Sequence, residues 1–515
     1  MAGKSQIKFG IILSYGQIFL HIIISLLYTP IMIRMLGQSE YGLYNTVSST
    51  ISMLSILSLG FNAGYIRFYA KYKKENDINS IYKLNGLFFT IFLIIGLIAL
   101  ACGLFLTFNL HYVFDDGLTA SEYETAKVLM FILSINLSFS LIMTVFKNII
   151  SAHEKFIFLK LLTMVTTILS PLIMLPLLLL GFRSIAMALV ALGLNVFVEV
   201  LCAYFVLVKL KNKFVFKGYE KGMFGSLFAY IGFIAINLIV DQLNNNLDKF
   251  LLGRIKGTVS VAIYSVGYAL YCYYMTFSTS IRGFFTPRIH KIVNETSKEQ
   301  LREKLTSLFI KVGRLQFLLL GLLATGIVFF GKPFIHFWAG EGYEDAYIVS
   351  VVLVLSTSIA SIQNIGIEIQ RALNKHKFRS LAYLFMAIIN VVVSIFLIKL
   401  YGAVGAVIGT AIALILANGL AMNIYYHKQC NLNVLAFWKE ILKILLAMIV
   451  PIACGILINL FINLYSIFNL ALFIVIYTVI YVTFMWLFGM NSYEKDLVKK
   501  PLSKLFKRKQ TNANS

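Results

Sequence analysis

The chain has 515 residues, of which 59% are hydrophobic and 13% charged, and its 45 Lys and Arg against 22 Asp and Glu give a formal charge of +23. A mean hydropathy of +0.83 exceeds what a water-soluble domain buries and keeps in solution, which excludes an ordinary soluble enzyme and makes lipid the main solvent. Cys102, Cys202, Cys272, Cys430 and Cys454 stand singly, without paired spacing or neighbouring His clusters, so no disulfide framework, metal site or cofactor is expected.

Fourteen apolar stretches follow in chain order, near 10–33, 44–69, 84–108, 125–146, 157–180, 184–208, 224–252, 260–283, 305–330, 346–368, 381–400, 403–425, 436–461 and 466–489. A helix of about 20 apolar residues crosses a hydrocarbon core of roughly 30 Å with every backbone group satisfied internally, so the pattern predicts an all-α polytopic membrane protein with about 14 transmembrane helices. The first stretch follows Lys4 and Lys8, is too long for a signal-peptide core and lacks a clear cleavage site, so it is expected to persist as a helix.

Loop charge predicts orientation, because Lys and Arg resist translocation more than acidic residues do. Bases gather after the even-numbered spans: Lys71, Lys73, Lys74 and Lys83; Lys147, Lys155 and Lys160; Lys209, Lys211, Lys213, Lys217 and Lys221; Arg371, Lys375, Lys377 and Arg379. The opposite loops carry Asp115, Asp116, Glu122 and Glu124, or Glu341, Glu344 and Asp345. Both termini are therefore expected in the cytoplasm, and the positive charge reads as a topology signal, without nucleic-acid binding. The tail with Lys499, Lys500, Lys504, Lys507, Arg508 and Lys509 reads as a positive-inside anchor, with contact to anionic headgroups as the other reading.

Charged groups inside apolar spans are costly unless they meet a partner or a wet cavity, which makes each a functional candidate. Arg34 ends the first span on the outer side, where it would engage an anionic group or anchor the helix. The second span carries Ser48, Ser52 and Ser55 on one face, then Asn62, Gly64 and Arg67; helix-to-helix hydrogen bonding is favoured for the serines. In the sixth span Glu199, a turn after Asn195, is either a proton-binding carboxylate or a buried, hydrogen-bonded acid.

In the seventh span Asn237, Asp241, Asn244 and Asp248 fall at i, i+4, i+7 and i+11, on one helix face that Asn245 and Lys249 widen. Tyr264, Tyr268 and Tyr271 share a face of the eighth span; core packing is favoured over a surface for sugar rings or a prenyl chain. The segment 283–304 reads as an interfacial helix or a solvated connector. In the ninth span GIVFFGK, Gly326 to Lys332, has the glycine spacing of a phosphate loop, but Pro333 stands where Ser or Thr is needed and no strand precedes it.

The tenth span has Thr357, Ser361, Asn364, Glu368 and Arg371 on one face. For Asp241, Asp248, Glu368 and Arg371 an aqueous path is favoured, since an uncompensated charge costs on the order of 3 kcal/mol even on the lenient insertion scale. Arg67, Arg282 and Arg371 lie near cytoplasmic span ends, where a guanidinium suits bidentate phosphate recognition and interface snorkelling explains it equally well. No catalytic motif occurs and no outer loop is long enough for a catalytic domain, so the chain is not expected to be an enzyme.

A weak internal repeat relates RMLGQSEYGLY (34–44) after the first span to KFLLGRIKGTVSVAIY (249–264) after the seventh, and the spans that follow end near Arg67 and Arg282. This suggests two pseudo-symmetric six-helix lobes at 1–221 and 222–430, two further helices over 431–490 and a basic cytoplasmic tail over 491–515. Gly37, Gly253, Gly402 and Gly405 sit at or near span ends, for close packing or hinge motion.

Together with TPIMIRMLGQSEYGLYNTVSS (29–49), LSLGFNAGYIRFYAKY (57–72), LDKFLLG (247–253), IQRALNKHKFRS (369–380) and YGAVGAVIGTAIA (401–413), this MATE-like architecture resembles the multidrug/oligosaccharidyl-lipid/polysaccharide exporter superfamily. Within it the chain most resembles the Wzx-type polysaccharide flippases. The resemblance implies transfer of an undecaprenyl-diphosphate-linked oligosaccharide from the inner to the outer leaflet of a bacterial cytoplasmic membrane, by alternating access of a charged central cavity.

It also implies glycosyltransferase and polysaccharide polymerase partners beside the substrate and membrane lipids. Mapped onto this chain, Arg67, Lys249, Arg282 and Arg371 receive the diphosphate and Arg34 engages it outside. Asn237, Asp241, Asn244, Asp248, Asn364 and Glu368 face the sugars, and Asp241, Asp248, Glu199 or Glu368 couples a proton or sodium gradient. A small-molecule or drug:cation antiporter of the same superfamily and a lipid II-type flippase are the alternatives.

Overall fold

A computed structural model describes residues 2–500 apart from 59, 115–116, 219–222 and 376. Asp115, Asp116, Lys221 and the tail from 501 onward, including Lys504, Lys507, Arg508 and Lys509, lie outside the described residues.

The described residues form helices joined by turns and short loops, with no strand among them. They are α1 (Ala2–Met53), α2 (Phe61–Lys74), α3 (Ile78–Phe108), α4 (Leu110–Phe114), α5 (Ala120–Ala152), α6 (Phe156–Leu179), α7 (Arg183–Tyr204), α8 (Met223–Lys256) and α9 (Thr258–Glu295). There follow α10 (Lys298–Ala339), α11 (Asp345–Ile362), α12 (Ile365–Ala372), α13 (Lys377–Leu414), α14 (Asn423–Lys428), α15 (Val434–Ala447), α16 (Ile449–Phe461) and α17 (Ile467–Phe484).

Nine of the described helical stretches are long and apolar enough to cross a membrane, or ten if the bent pair α15 and α16 is one span. Two of the nine, Gly16–Lys74 and Lys377–Lys428, run for 59 and 52 residues, each length enough for two crossings. Gly37 (φ 77°) bends α1 between the expected first and second spans, and Gly402 (φ 56°) bends α13 between the eleventh and twelfth. Both take backbone angles that a side chain disfavours, which is why each joint carries glycine. Helices α8 and α9 coincide with the expected seventh and eighth spans but fall outside the nine.

Three expected spans are interrupted. The second passes through a 3₁₀ turn at Leu54–Ser58 and a left-handed Gly60 before α2 begins. The tenth breaks at Gln363 and Asn364, between α11 and α12. The thirteenth bends by 42° at Met448, because Pro451 has no N–H to give the carbonyl of Ala447.

The segment 283–304 is helical apart from Thr296 and Ser297 and is no loose connector. It is built from the ends of α9 and α10, which meet at Thr296 and Ser297. The 38 residues of α9 extend about 57 Å at 1.5 Å per residue, well beyond a hydrocarbon core. The phosphate-loop lookalike lies inside α10, where helical backbone cannot cradle a phosphate.

By packing, the chain divides into two units: Met1–Val266 with Ser380–Thr410, and Gly267–Arg379 with Ala411–Ser515. In the first, Tyr65, Tyr69 and Tyr72 of α2 are buried against Phe88 and Phe92 of α3 and Val145 and Ile149 of α5. Helices α3 and α5 approach closely because Gly96 and Gly103 face Ser138 and Ser134, and the Ser138 hydroxyl donates to the Gly96 carbonyl at 2.8 Å. The core of the second unit joins α10 to α15, α16 and α17 through Phe330, Ile444, Met448, Tyr477 and Tyr481.

The two repeated segments meet within the first unit. A methyl at Gly42 would collide with the Thr258 carbonyl, and one at Gly253 would press on the Thr46 side chain. Glu122 of α5 ties the junction, its Oε1 accepting from Ser39 Oγ at 2.5 Å and Thr258 Oγ1 at 2.6 Å. Gly42→Val is expected to destabilise the folded chain by about 1–3 kcal/mol through overpacking. Thermal unfolding in lipid nanodiscs checks this, and an unchanged midpoint would show that the segments separate at no cost.

Candidate functional site

The break in the tenth span gathers four of the residues singled out from sequence. Arg282 of α9 donates from Nη1 to Asn364 Oδ1 at 3.0 Å, and its Nε lies 3.9 Å from Glu368 Oε1. The same Glu368 oxygen accepts from Arg371 Nη1 at 2.9 Å. Asn364 Nδ2 donates to Ser278 Oγ at 3.3 Å, and Gln316 Nε2 to the Ser278 carbonyl at 3.2 Å.

Glu368 is buried, Arg282 half-buried and Arg371 exposed, so one carboxylate holds two guanidinium groups and leaves the cluster with a net positive charge. The break has its own supports. Gln363 Nε2 and Trp438 Nε1 each donate to Asn423 Oδ1 at 2.8 Å, tying the interrupted helix to α14 and α15. Interrupted spans that expose polar groups are tolerated where they line a cavity.

Asp248 lies in the first unit. It is 3% exposed, and its Oδ2 accepts from Tyr264 Oη at 2.8 Å and Thr410 Oγ1 at 2.7 Å. Thr410 also contacts Asn390, whose Oδ1 accepts from Ser394 Oγ at 2.9 Å. Among the described residues no cation pairs with Asp248. The one-face stripe in α8 is graded in burial: Asp241 is exposed, Asn237 and Asn244 half-buried and Asp248 buried. Asn237 Oδ1 accepts from Ser380 Oγ at 3.0 Å. Lys249 is half-buried, and Arg34 and Arg67 are exposed on α1 and α2.

Glu199 is fully buried and pairs with Lys147 Nζ at 2.6 Å. Lys147 thus lies within α5, and the expectation that it belongs to a cytoplasmic loop is corrected: its ammonium reaches the buried carboxylate of α7. Tyr264 is engaged with Asp248, while the Tyr268 and Tyr271 rings touch at 5.4 Å.

Sequence reasoning missed several partners. Asn390 and Ser394 stand at i and i+4 in an otherwise apolar span, a signal that would have found them. Arg314 was equally legible as a guanidinium inside the ninth span. It donates from Nε and Nη2 to the Glu494 carboxylate at 2.7 and 2.9 Å, from Nη1 to Glu440 Oε2 at 3.0 Å and from Nη2 to the Gly489 carbonyl at 2.8 Å. No cluster of three or more potential metal-ligating side chains occurs among the described residues.

Residues 8–293 match the model of the family described as "Polysaccharide biosynthesis protein". A Shigella flexneri protein named "Putative O-antigen transporter" is 22% identical over 405 residues, which cover 77% of this chain and 92% of that protein. Among solved structures, the lipid II flippase MurJ in its inward closed conformation superposes with a TM-score of 0.67 at 16% identity, over 95% of this chain and 99% of MurJ. An inward-facing multidrug resistance MATE transporter of the MOP superfamily gives 0.58 at 14% identity, over 82% of this chain and 99% of its own. Such identities show a shared fold, whereas the family model spans more than half of the sequence. On a fold shared with MurJ and the MATE transporters, this chain belongs to the polysaccharide biosynthesis protein family.

Proposed function

We propose that the chain is a flippase that moves an undecaprenyl-diphosphate-linked oligosaccharide from the inner to the outer leaflet of the bacterial cytoplasmic membrane, with both termini in the cytoplasm. Family membership supports the saccharide, and the name of the Shigella relative supports transport. The observation that carries the reading is the Arg282–Asn364–Glu368–Arg371 cluster at the break in the tenth span. Two guanidinium groups around one carboxylate keep a net cation at a helix break, which suits a diphosphate and repels the organic cations of a drug antiporter.

Within the first unit, Arg67 and Lys249 are further headgroup contacts, Arg34 serves the headgroup on the outer side, and Asn237, Asp241 and Asn244 hydrate the sugars. The chain changes no covalent bond in its cargo; glycosyltransferases supply the lipid-linked saccharide and a polymerase consumes it. The repeat, with a positive-φ glycine at each junction (Gly37 and Gly257), supports lobes over 1–221 and 222–430, with 431–490 appended.

Among the coupling candidates, Glu368 is neutralised by two arginines and Glu199 by Lys147, whereas among the described residues Asp248 accepts from the hydroxyls of Tyr264 and Thr410 and pairs with no cation. A proton or monovalent cation held at Asp248 would offset its charge and link export to an ion gradient.

Cells lacking the chain, and without a redundant flippase, are expected to accumulate undecaprenyl-linked saccharide by mass spectrometry while losing surface polymer. The saccharide found separates capsule or O-antigen-type cargo from a lipid II-type cargo. Arg282→Ala and Arg67→Ala are each expected to lower export about tenfold or more by removing a charge-assisted phosphate contact, with normal membrane levels. Unchanged lipid intermediates in the deletion strain would overturn the flippase reading.

A further inference from the structure

We propose that the pocket between α5, α6 and α7 is a saccharide subsite in which Lys147 and Asn195 hydrogen-bond ring hydroxyls of the cargo. The proposal rests on the flippase reading above and adds a binding site away from the arginine cluster. The pocket lies wholly within the first unit, encloses about 440 Å³ and is lined by Lys147, Leu162, Thr163, Thr166, Leu194 and Asn195 among others. Its volume falls within the ~300–1,000 Å³ of small-molecule sites.

The Lys147–Glu199 pair is poorly built as a helix-to-helix stitch. A buried ion pair repays its desolvation only when its remaining lone pairs and protons are also satisfied. Glu199 is fully buried, yet its Oε2 has no hydrogen-bond partner among the described residues. The Lys147 ammonium has three donors, of which Glu199 takes one, and its side chain is 36% exposed along the pocket wall. An apolar pair of similar volume would join α5 to α7 at lower cost. The retained charges serve a ligand better than they serve the fold.

Charge balance selects the ligand. The ammonium is already neutralised by Glu199, so the pocket has no net cation to hold a phosphate. It offers instead the spare Lys147 donors as well as acceptors. The Thr163 and Thr166 hydroxyls donate to the Leu159 and Thr163 carbonyls at 3.0 Å and accept through their lone pairs. Asn195 Nδ2 donates to Asn136 Oδ1 at 2.7 Å and to the Asn136 carbonyl at 3.3 Å, which leaves Asn195 Oδ1 to accept. Leucine walls beside these polar groups match a pyranose ring, which pairs an apolar face with a rim of hydroxyls.

The test uses the full chain in lipid nanodiscs with Leu159→Cys, on the pocket wall, as a reporter, the unaltered chain giving the background from its native cysteines. The probe is the repeat-unit oligosaccharide freed from the host's surface polysaccharide by limited acid hydrolysis. At saturation it is expected to slow maleimide labelling at position 159 about tenfold, and the double variant Lys147→Met/Glu199→Gln to abolish this protection while remaining folded. No protection, equal protection in the double variant, or protection by an anionic phospholipid alone would overturn the subsite. Accumulation of lipid-linked saccharide in the deletion strain without protection overturns the subsite only; no accumulation overturns the transport reading beneath it.

Discussion

Asp248→Asn is expected to reduce gradient-driven export about a hundredfold, equal to roughly 2.7 kcal/mol, while leaving the protein folded and in the membrane. The magnitude follows from the cost of an uncompensated carboxylate in a membrane helix, ~2.5–3.5 kcal/mol, which a bound proton or cation offsets and which an amide never presents. The fold should tolerate the change, because the Asn oxygen still accepts from Tyr264 and Thr410 and no cation loses its partner. Export of the lipid-linked saccharide in sealed vesicles, with and without an imposed proton or sodium gradient, is the measurement. Equal gradient dependence in both proteins would remove Asp248 from coupling and leave the arginine cluster untouched.

The second large effect concerns stability. Arg314→Ala should destabilise the second unit by about 3–5 kcal/mol, because it strands a buried carboxylate. Arg314 is 3% exposed and Glu494 2% exposed, and the guanidinium binds both Glu494 oxygens as well as Glu440 and the Gly489 carbonyl. Helix α10, helix α15 and the segment after α17 meet at this one side chain. Glu440 keeps Lys443 at 2.5 Å when the arginine is gone, so the damage falls chiefly on Glu494. Arg314→Met combined with Glu494→Gln is expected to recover most of the loss, since no buried charge then remains unpaired. Thermal unfolding in nanodiscs checks both variants, and a single variant as stable as the parent would show that water reaches Glu494.

The helical architecture was legible because apolar run length answers directly to bilayer thickness, whatever the helices pack against. The stripe rule found the arginine cluster for a similar reason: Asn364, Glu368 and Arg371 share a face of the tenth span, and Arg282 marks the end of the eighth. It did not show that Glu368 would be held by two arginines, because partners on different helices leave no spacing in the sequence. The same limit hides Thr410 behind Asp248 and Lys147 behind Glu199, because counting charges does not say which way a side chain points.

The sequence by itself determined that the chain is an all-helical membrane protein and which polar residues lie within its spans, since both follow from local hydropathy and the cost of placing charge in hydrocarbon. Whereas the bend in span thirteen follows locally from Pro451, tertiary structure alone decided where span ten breaks and which charges neutralise one another. It separated Asp248, held by hydroxyls, from Glu199 and Glu368, held by cations. Charge pairing depends on what neighbouring helices bring within about 4 Å, a distance that sequence position does not encode.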